Sequence, residues 1–276
     1  MAFPLQSVTP IPPVKVIDVG ASPIDGDPPY AAMRGHGDVA VVGFEPSPSQ
    51  FAALQARPIP GCTFLPHAVG DGTDGTLRVC RAPGMTSLLE PHRAVLERFH
   101  LLAECAEVLE TIPMPTVRLD DVPEAADSDY IKIDVQGSEG AVLAGAPRVL
   151  SELTVVHIEV NFVPFYEGQP LFAELDQQLR AAGFLFHKFT PLVSRVFKPL
   201  LLNNDVYAGL SQVLWSDAVY VKSFTNLEAY EDAQLLKTAR VAHEVYGSFD
   251  LCGMLLAHHD RRCGGTLYSE YLSRFG

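Results

Sequence analysis

Positive charge is scarce in this sequence. Twenty Lys and Arg face 33 Asp and Glu, a formal net charge of −13 over 276 residues, and no run of Lys or Arg occurs anywhere. Such a chain repels polyanions, so sequence-independent binding to nucleic acid or to an anionic membrane surface is not expected. Long hydrophobic runs are missing as well. No stretch approaches the ~18 uninterrupted apolar residues of a membrane span, and the opening MAFPLQSVTPIPP has neither a basic nor an apolar leader region. Cysteines are few, scattered and odd in number (Cys62, Cys80, Cys105, Cys252, Cys263), with no CxxC. That excludes a dense disulfide framework and the usual seats of structural zinc, and a reducing, cytoplasmic setting is expected. His258, His259 and Cys263 have the ligand types for zinc at a spacing that matches no common pattern, and they read as a polar helix end. Charged residues make up only 19% of the chain and apolar ones 47%, enough for a sizeable core and against disorder.

Short β-branched runs alternate with helical patterns through the first 220 residues or so. Val14 to Val19 is followed at once by Gly20 and a turn-rich stretch; Val39 to Phe44 ends in Glu45-Pro46; Cys62 to Leu65 precedes His67-Ala68-Val69-Gly70-Asp71. Tyr130 to Asp134 leads into a Gly137-Ser138-Glu139-Gly140 turn, in which Ser138 suits a helix N-cap and Glu139 the first turn. Thr154 to Val160 and Trp215 to Val221 read as further strands, and Leu171, Leu175 and Leu179 line a helix between them. Continuously apolar strands separated by helices predict a mostly parallel sheet covered on both faces. Residues 76 to 115 interrupt the rhythm. Thr76 to Cys80 suits an extra strand, and Val95, Phe99, Leu102 and Ala106 predict one amphipathic helix within 91–110. We read residues 1–224 as the sheet domain with that insertion, and 225–276 as a helical C-terminal extension, either packed on the sheet or used in self-association.

In open parallel sheets ligands bind at the carboxyl ends of the strands, so residues just after strands carry the chemistry. Gly20 follows the first strand, and a glycine there admits close backbone approach. Glu45, 25 residues further on, has the place of an acid that accepts both ribose hydroxyls. Together they indicate an adenosine-containing cofactor. The loop from Gly20 to Gly26 lacks G-x-G-x-x-G and has Asp18 and Asp25 nearby, where a pyrophosphate would meet carboxylates. S-adenosylmethionine, with a cationic sulfonium and amine and no phosphate, suits it better. Asp134 ends its strand at the cleft. His157, Glu159 and Asn161 share one face of theirs by alternation, so His157 or Glu159 is a candidate general base. With Asp134 they are also the types that hold magnesium. His67, after the third strand, reads equally as cleft lining or as packing.

The segments Val16-Ile17-Asp18-Val19-Gly20-Ala21, Gly43-Phe44-Glu45-Pro46, His67-Ala68-Val69-Gly70-Asp71, Thr86-Ser87-Leu88, Leu119-Asp120-Asp121 and Asp129 to Gly140 resemble, in order and spacing, the FkbM family of S-adenosylmethionine-dependent methyltransferases. His157 to Phe162 and Tyr166 to Phe172 continue the resemblance, which covers roughly residues 14 to 222. It implies the Rossmann-like class I methyltransferase fold: an α/β structure with a seven-stranded, mostly parallel sheet whose last strand is antiparallel, and helices on both faces. It also implies methyl transfer to oxygen of a sugar or natural product, so that the partner is a small-molecule or glycan acceptor. Carried onto this chain, the cofactor-binding set is Asp18, Gly20, Ala21, Glu45, Pro46, His67, Ala68 and Asp134, and the catalytic candidates are Asp134, Glu159 and His157. One departure is Ser22-Pro23-Ile24-Asp25-Gly26, where family members often have Asn-x-Gly. A nucleotide- or NAD(P)-dependent oxidoreductase and a catalytically silent interaction module are the rival readings.

Overall fold

The β-branched runs form strands wherever one face can be buried without interruption. The computed structural model describes residues 3–22, 26–35 and 38–275. In chain order its strands are β1 (Val14–Val19), β2 (Val39–Phe44), β3 (Cys62–Leu65), β4 (Ala68–Val69), β5 (Asp74–Cys80), β6 (Val108–Val117), β7 (Tyr130–Ile133), β8 (Val155–Asn161), β9 (Phe184–Arg195) and β10 (Gln212–Lys222). Seven of them form one sheet in the order β3-β2-β1-β7-β8-β10-β9. β1, β2, β3, β7 and β8 run parallel, while β10 is antiparallel to both neighbours. The chain winds outward from β1 to β3 and then returns to the other side of β1 at β7. That reversal opens a crevice at the carboxyl ends of β1 and β7.

Strand alternation assigns the two faces. Ile17, Val19, Ile131, Ile133, Val156 and Ile158 face a core closed by Val142 and Leu143 of α5 (Glu139–Ala144), Val149 and Leu150 of α6 (Pro147–Glu152), and Leu175 and Leu179 of α7 (Phe172–Ala181). On the opposite face Val14, Val16, Tyr130, Val155 and Val219 meet only a short β1–β2 crossover, which contributes Tyr30 and Met33 around α1 (Ala31–Arg34). The C-terminal region completes this layer. Val241 of α8 (Asp232–Glu244) joins that cluster, and Arg240, fully buried, donates to the Met33 carbonyl at 3.0 Å. Behind α8, residues of α9 (Phe249–Cys263) and α10 (Leu267–Leu272) close a second core with Leu5 and Ile11 from the N-terminal segment. Of the two dispositions left open for the C-terminal helices, packing on the sheet is therefore present. No helix among the described residues is long and apolar enough to cross a membrane.

The insertion differs from the expectation of one amphipathic helix. After α2 (Pro48–Gln55) on the β2–β3 crossover, the chain forms only two single turns here, α3 (Arg93–Leu96) and α4 (Leu102–Cys105), separated by Leu101 at φ +65°. It then runs as β6, antiparallel to β5. Phe99 and Ala106 are buried all the same, against Phe165 and Tyr166. Helical spacing of apolar residues reported the buried side, which turns supply equally well. Pro113 and Pro115 forbid a helix beyond 110 and are tolerated in β6 because β4 pairs only with its last residues, Thr116 and Val117.

Candidate functional site

A cleft of ≈ 970 Å³, its mouth included, lies over the β1–β7 switch point. Gly20, Glu45 and Pro46 line it from the ends of β1 and β2, His67 and Ala68 from the end of β3, Thr86 to Leu88 from the insertion, and Asp134 and Gln136 from the end of β7. Gly20 has φ +84°, and a Cβ on it would fall 1.9 Å from the Asp134 carbonyl oxygen. The glycine is therefore required by the approach of two strand ends, before any ligand is considered. Ala21 does not line the cleft; it is buried, and a Cβ on Gly43 would stand 2.9 Å from its methyl group. Glu45 is nearly buried, and its Oε1 accepts the Ser47 amide at 2.8 Å. Burial raises its pKa, partly offset by hydrogen bonds from the Ser47 and Ser22 amides. Residues 23–25, including Asp25, lie outside the described residues.

The floor of the cleft is a network of charges around one lysine. Lys132, only 12% exposed, places Nζ 3.5 Å from Asp18 Oδ1 and 3.4 Å from Asp134 Oδ2, and donates to the Gly20 carbonyl at 2.8 Å. Asp18 accepts the Tyr30 hydroxyl at 2.6 Å on Oδ2, while its buried Oδ1 has no hydrogen-bond partner. It lies behind the cleft rather than on its wall. Burial would raise the pKa of Asp134, but the Lys132 charge together with hydrogen bonds from Glu159, Gln136 and Lys132 outweighs it and holds the carboxyl below its ordinary value. Glu159 behaves oppositely. Burial and the neighbouring Asp134 push its pKa well above the ordinary value. Gln136 donates through Nε2 to Asp134 at 2.8 Å and to Glu159 at 2.7 Å, and accepts the Tyr166 hydroxyl at 3.2 Å. Its backbone is left-handed, φ +56°, a conformation a non-glycine residue keeps only when its surroundings demand it. Glu139 is buried beneath this turn and accepts the Val135 and Gly137 amides at 3.1 Å each; burial carries its pKa up to about 7. Glu139 thus braces the turn that precedes its helix, while the Ser138 hydroxyl, expected as the N-cap, makes no cap hydrogen bond.

His157 and Glu159 share a face with Asp18 and Lys132, but neither lines the cleft. The His157 ring stacks on Tyr246 just beyond α8, with Nδ1 3.1 Å from the Tyr246 hydroxyl and Nε2 3.4 Å from Asp217 Oδ2. Tyr246 in turn meets the Tyr130 hydroxyl at 2.8 Å. A histidine expected at the site is thus bound into the seam that holds the C-terminal helices. Asn161 is likewise buried on that face. Lys132 and Gln136 have no role in the sequence reading, and Glu139 and Tyr246 only helical ones; Lys132 leaves a signal there, as a charge in an otherwise apolar strand. The oxygens of Asp134 and Glu159 are engaged with Lys132, Gln136 and one another, and no group of three or more His, Cys, Asp or Glu among the described residues is arranged to hold a metal ion. The magnesium expectation is therefore not supported. His258 is engaged with Arg261, and Cys263 is exposed at the end of α9.

Sheet order, the single antiparallel strand and a cleft walled by an acid after β2 define a class I methyltransferase architecture. The model of the methyltransferase FkbM domain matches residues 18–186, more than half of the chain, and the protein belongs to that family. Curated proteins offer no match. Among solved structures the chain is similar to magnesium protoporphyrin IX methyltransferase from Synechocystis PCC 6803 with bound S-adenosylmethionine, at 11% identity over 79% of this chain and 74% of that one, TM-score 0.41. It is also similar to a methyltransferase FkbM from Methylobacillus flagellatus KT, at 17% identity and TM-score 0.40, covering 75% of this chain and only 43% of that one. A methyltransferase structure from Thermoplasma acidophilum shares 9% identity over 78% and 70% of the two chains, TM-score 0.38.

Proposed function

We propose that the protein is an S-adenosylmethionine-dependent O-methyltransferase, acting on a hydroxyl of a sugar or natural product, with residues 1–224 as the catalytic domain and 225–276 as its helical extension. The observation that carries this reading is the disposition of carboxylates around the cleft. A cofactor with a ribose diol and a cationic amine fits them: Glu45 stands where the diol would be held, Asp134 stands at the cleft floor, and the orphaned Asp18 Oδ1 adds negative potential behind it. Pro46 flanks Glu45, and His67 with Ala68 supplies a wall for the adenine. When bound, S-adenosylmethionine supplies an electrophilic methyl group.

Asp134, kept ionised by Lys132, accepts a hydrogen bond from the acceptor hydroxyl and aims its oxygen lone pair. A carboxylate whose pKa is lowered is a weak base, so positioning contributes more to the rate than proton removal. Gln136, held on its other side by Glu159, fixes the Asp134 rotamer from behind. His157 supports the fold in this reading. Calorimetry with S-adenosylmethionine and S-adenosylhomocysteine tests the proposal, followed by transfer of labelled methyl from the cofactor to small-molecule and glycan extracts. Micromolar binding and a labelled, alkali-stable ether product are expected. Failure of both ligands to bind, or binding of NAD(P) instead, overturns it in favour of the rival readings.

A further inference from the structure

Six of the 15 exposed large apolar side chains among the described residues fall within residues 192–210, the arm that joins β9 to β10: Leu192, Phe197, Leu200, Leu201, Tyr207 and Leu210. An apolar patch of this kind on a monomer marks a surface that something covers. The arm leaves the sheet at the end where the cleft opens, since Trp215 near the start of β10 pairs with Asn161, the last residue of β8. It packs on the insertion that walls the cleft, although no residue of the arm lines the cleft itself. The insertion lines the cleft with Thr86, Ser87 and Leu88, and further along it Phe99 stacks on Phe197 with centroids 5.0 Å apart while the His100 ring lies 2.9 Å from the Leu200 carbonyl.

The charge of the arm is opposite to that of the chain. Residues 192–210 contain Arg195 and Lys198 against one carboxylate, Asp205, in a protein of net charge −13. The Arg195 guanidinium is held between two rings, 5.7 Å from the Tyr207 centroid and 5.1 Å from that of Trp215. Its one hydrogen bond among the described residues runs to the Ser194 carbonyl, and it forms no salt bridge there, although the Asp205 carboxylate of the same arm attracts it from a greater distance. Lys198 faces an acidic hollow containing Glu97 and Glu104, whereas Arg195 has only Asp205 acting on it, so Arg195 is the arm's cation better placed for an external anion. A guanidinium stacked on aromatics is pre-organised, with its donor edge free for a carboxylate or phosphate.

Building on the methyltransferase reading, we infer that the arm is the loading surface for the methyl acceptor, and that the acceptor is a lipid-like molecule with an extended apolar portion and one anionic group, the anion on Arg195 and the apolar portion along Leu200, Leu201 and Leu210. Trp215 is the only tryptophan of the chain and lies against Arg195, so its fluorescence reports on the site directly. Dodecyl phosphate below its micelle concentration is expected to shift Trp215 emission saturably, and inorganic phosphate at the same concentrations to leave it unchanged. Arg195→Gln, and separately the exposed pair Leu200→Ser with Leu210→Ser, should each raise the dissociation constant at least tenfold while S-adenosylhomocysteine binding persists. An equal response to dodecyl maltoside, an unaltered affinity in Arg195→Gln, or a response only to vesicles of phosphatidylcholine and phosphatidylglycerol would overturn the inference, the last by making the arm a membrane face. Loss of S-adenosylhomocysteine binding in the parent protein with dodecyl phosphate binding intact removes the methyltransferase reading and the acceptor role together, leaving an anion-binding arm. The opposite pattern removes the arm alone.

Discussion

Lys132 Nζ stands 3.4 Å from Asp134 Oδ2 at the cleft floor, and this contact, with the hydrogen bonds that Asp134 accepts, sets two neighbouring carboxyls, Asp134 and Glu159, titrating in opposite directions. The lysine reaches Asp134 on one side and Asp18 on the other, whereas Glu159 meets only carboxylates and an amide.

Removing the lysine should therefore strand two acids, Asp18 in the interior and Asp134 at the cleft floor. Lys132→Met is expected to lower stability in urea by about 3–5 kcal/mol, the usual cost of breaking a buried pair from one side. Adding Asp18→Asn should restore part of that loss by removing one stranded charge. An additive double variant would show that Asp18 and Lys132 are not coupled.

Glu139 gives stability a pH dependence of definite sign. The folded protein keeps its proton up to about pH 7, while the unfolded chain releases it near the ordinary 4.5. Between these values the folded state binds more protons, so this group makes stability fall as pH rises, by on the order of 2–3 kcal/mol in all. Thermal unfolding of Glu139→Gln across that window should lack this slope. A parallel profile for parent and variant would place the proton elsewhere.

Gly20 and Gly26 separate backbone strain from collision. Both have positive φ, but a Cβ on Gly26 would meet nothing within 4 Å, whereas one on Gly20 would strike the Asp134 carbonyl. Gly26→Ala should cost about 1–3 kcal/mol. Gly20→Ala should cost clearly more and weaken S-adenosylhomocysteine binding as well, read by urea titration and calorimetry.

Glu45→Gln keeps the shape of the side chain and removes its charge. If the carboxylate takes both ribose hydroxyls, affinity for S-adenosylhomocysteine should drop roughly 10- to 100-fold, one or two charged hydrogen bonds' worth. Unchanged affinity in calorimetry would take Glu45 out of the ribose role.

Tyr246→Phe tests whether His157 serves the fold. Loss of the hydroxyl that joins His157 to Tyr130 should lower stability by about 1–3 kcal/mol. S-adenosylhomocysteine binding should persist, and a variant as stable as the parent would discount the seam.

Much of this molecule was legible in one dimension. Alternation and continuous apolar runs located β1, β2, β3, β7 and β8, because a strand covered on both faces is mostly apolar, and the few polar residues within it, such as Asp18, Lys132 and His157, need partners. The same rule drew attention to Glu45 and Asp134, and both line the cleft. It went astray where burial without a repeating backbone imitates a helix, at Val95 to Ala106, and where a residue on the expected face points into a seam with a distant helix, at His157.

The sequence by itself determined the layered α/β plan, the scarcity of cations and the acids at strand ends, since these depend on local pattern and composition. Only the tertiary structure decided how those acids behave. Their ionisation is set by groups far away in the chain: Lys132 lies 114 residues from Asp18, and Asp134 lies 25 from Glu159. Coulomb energy and desolvation follow distance in space, and only the folded sheet brings those residues within a few ångströms of one another.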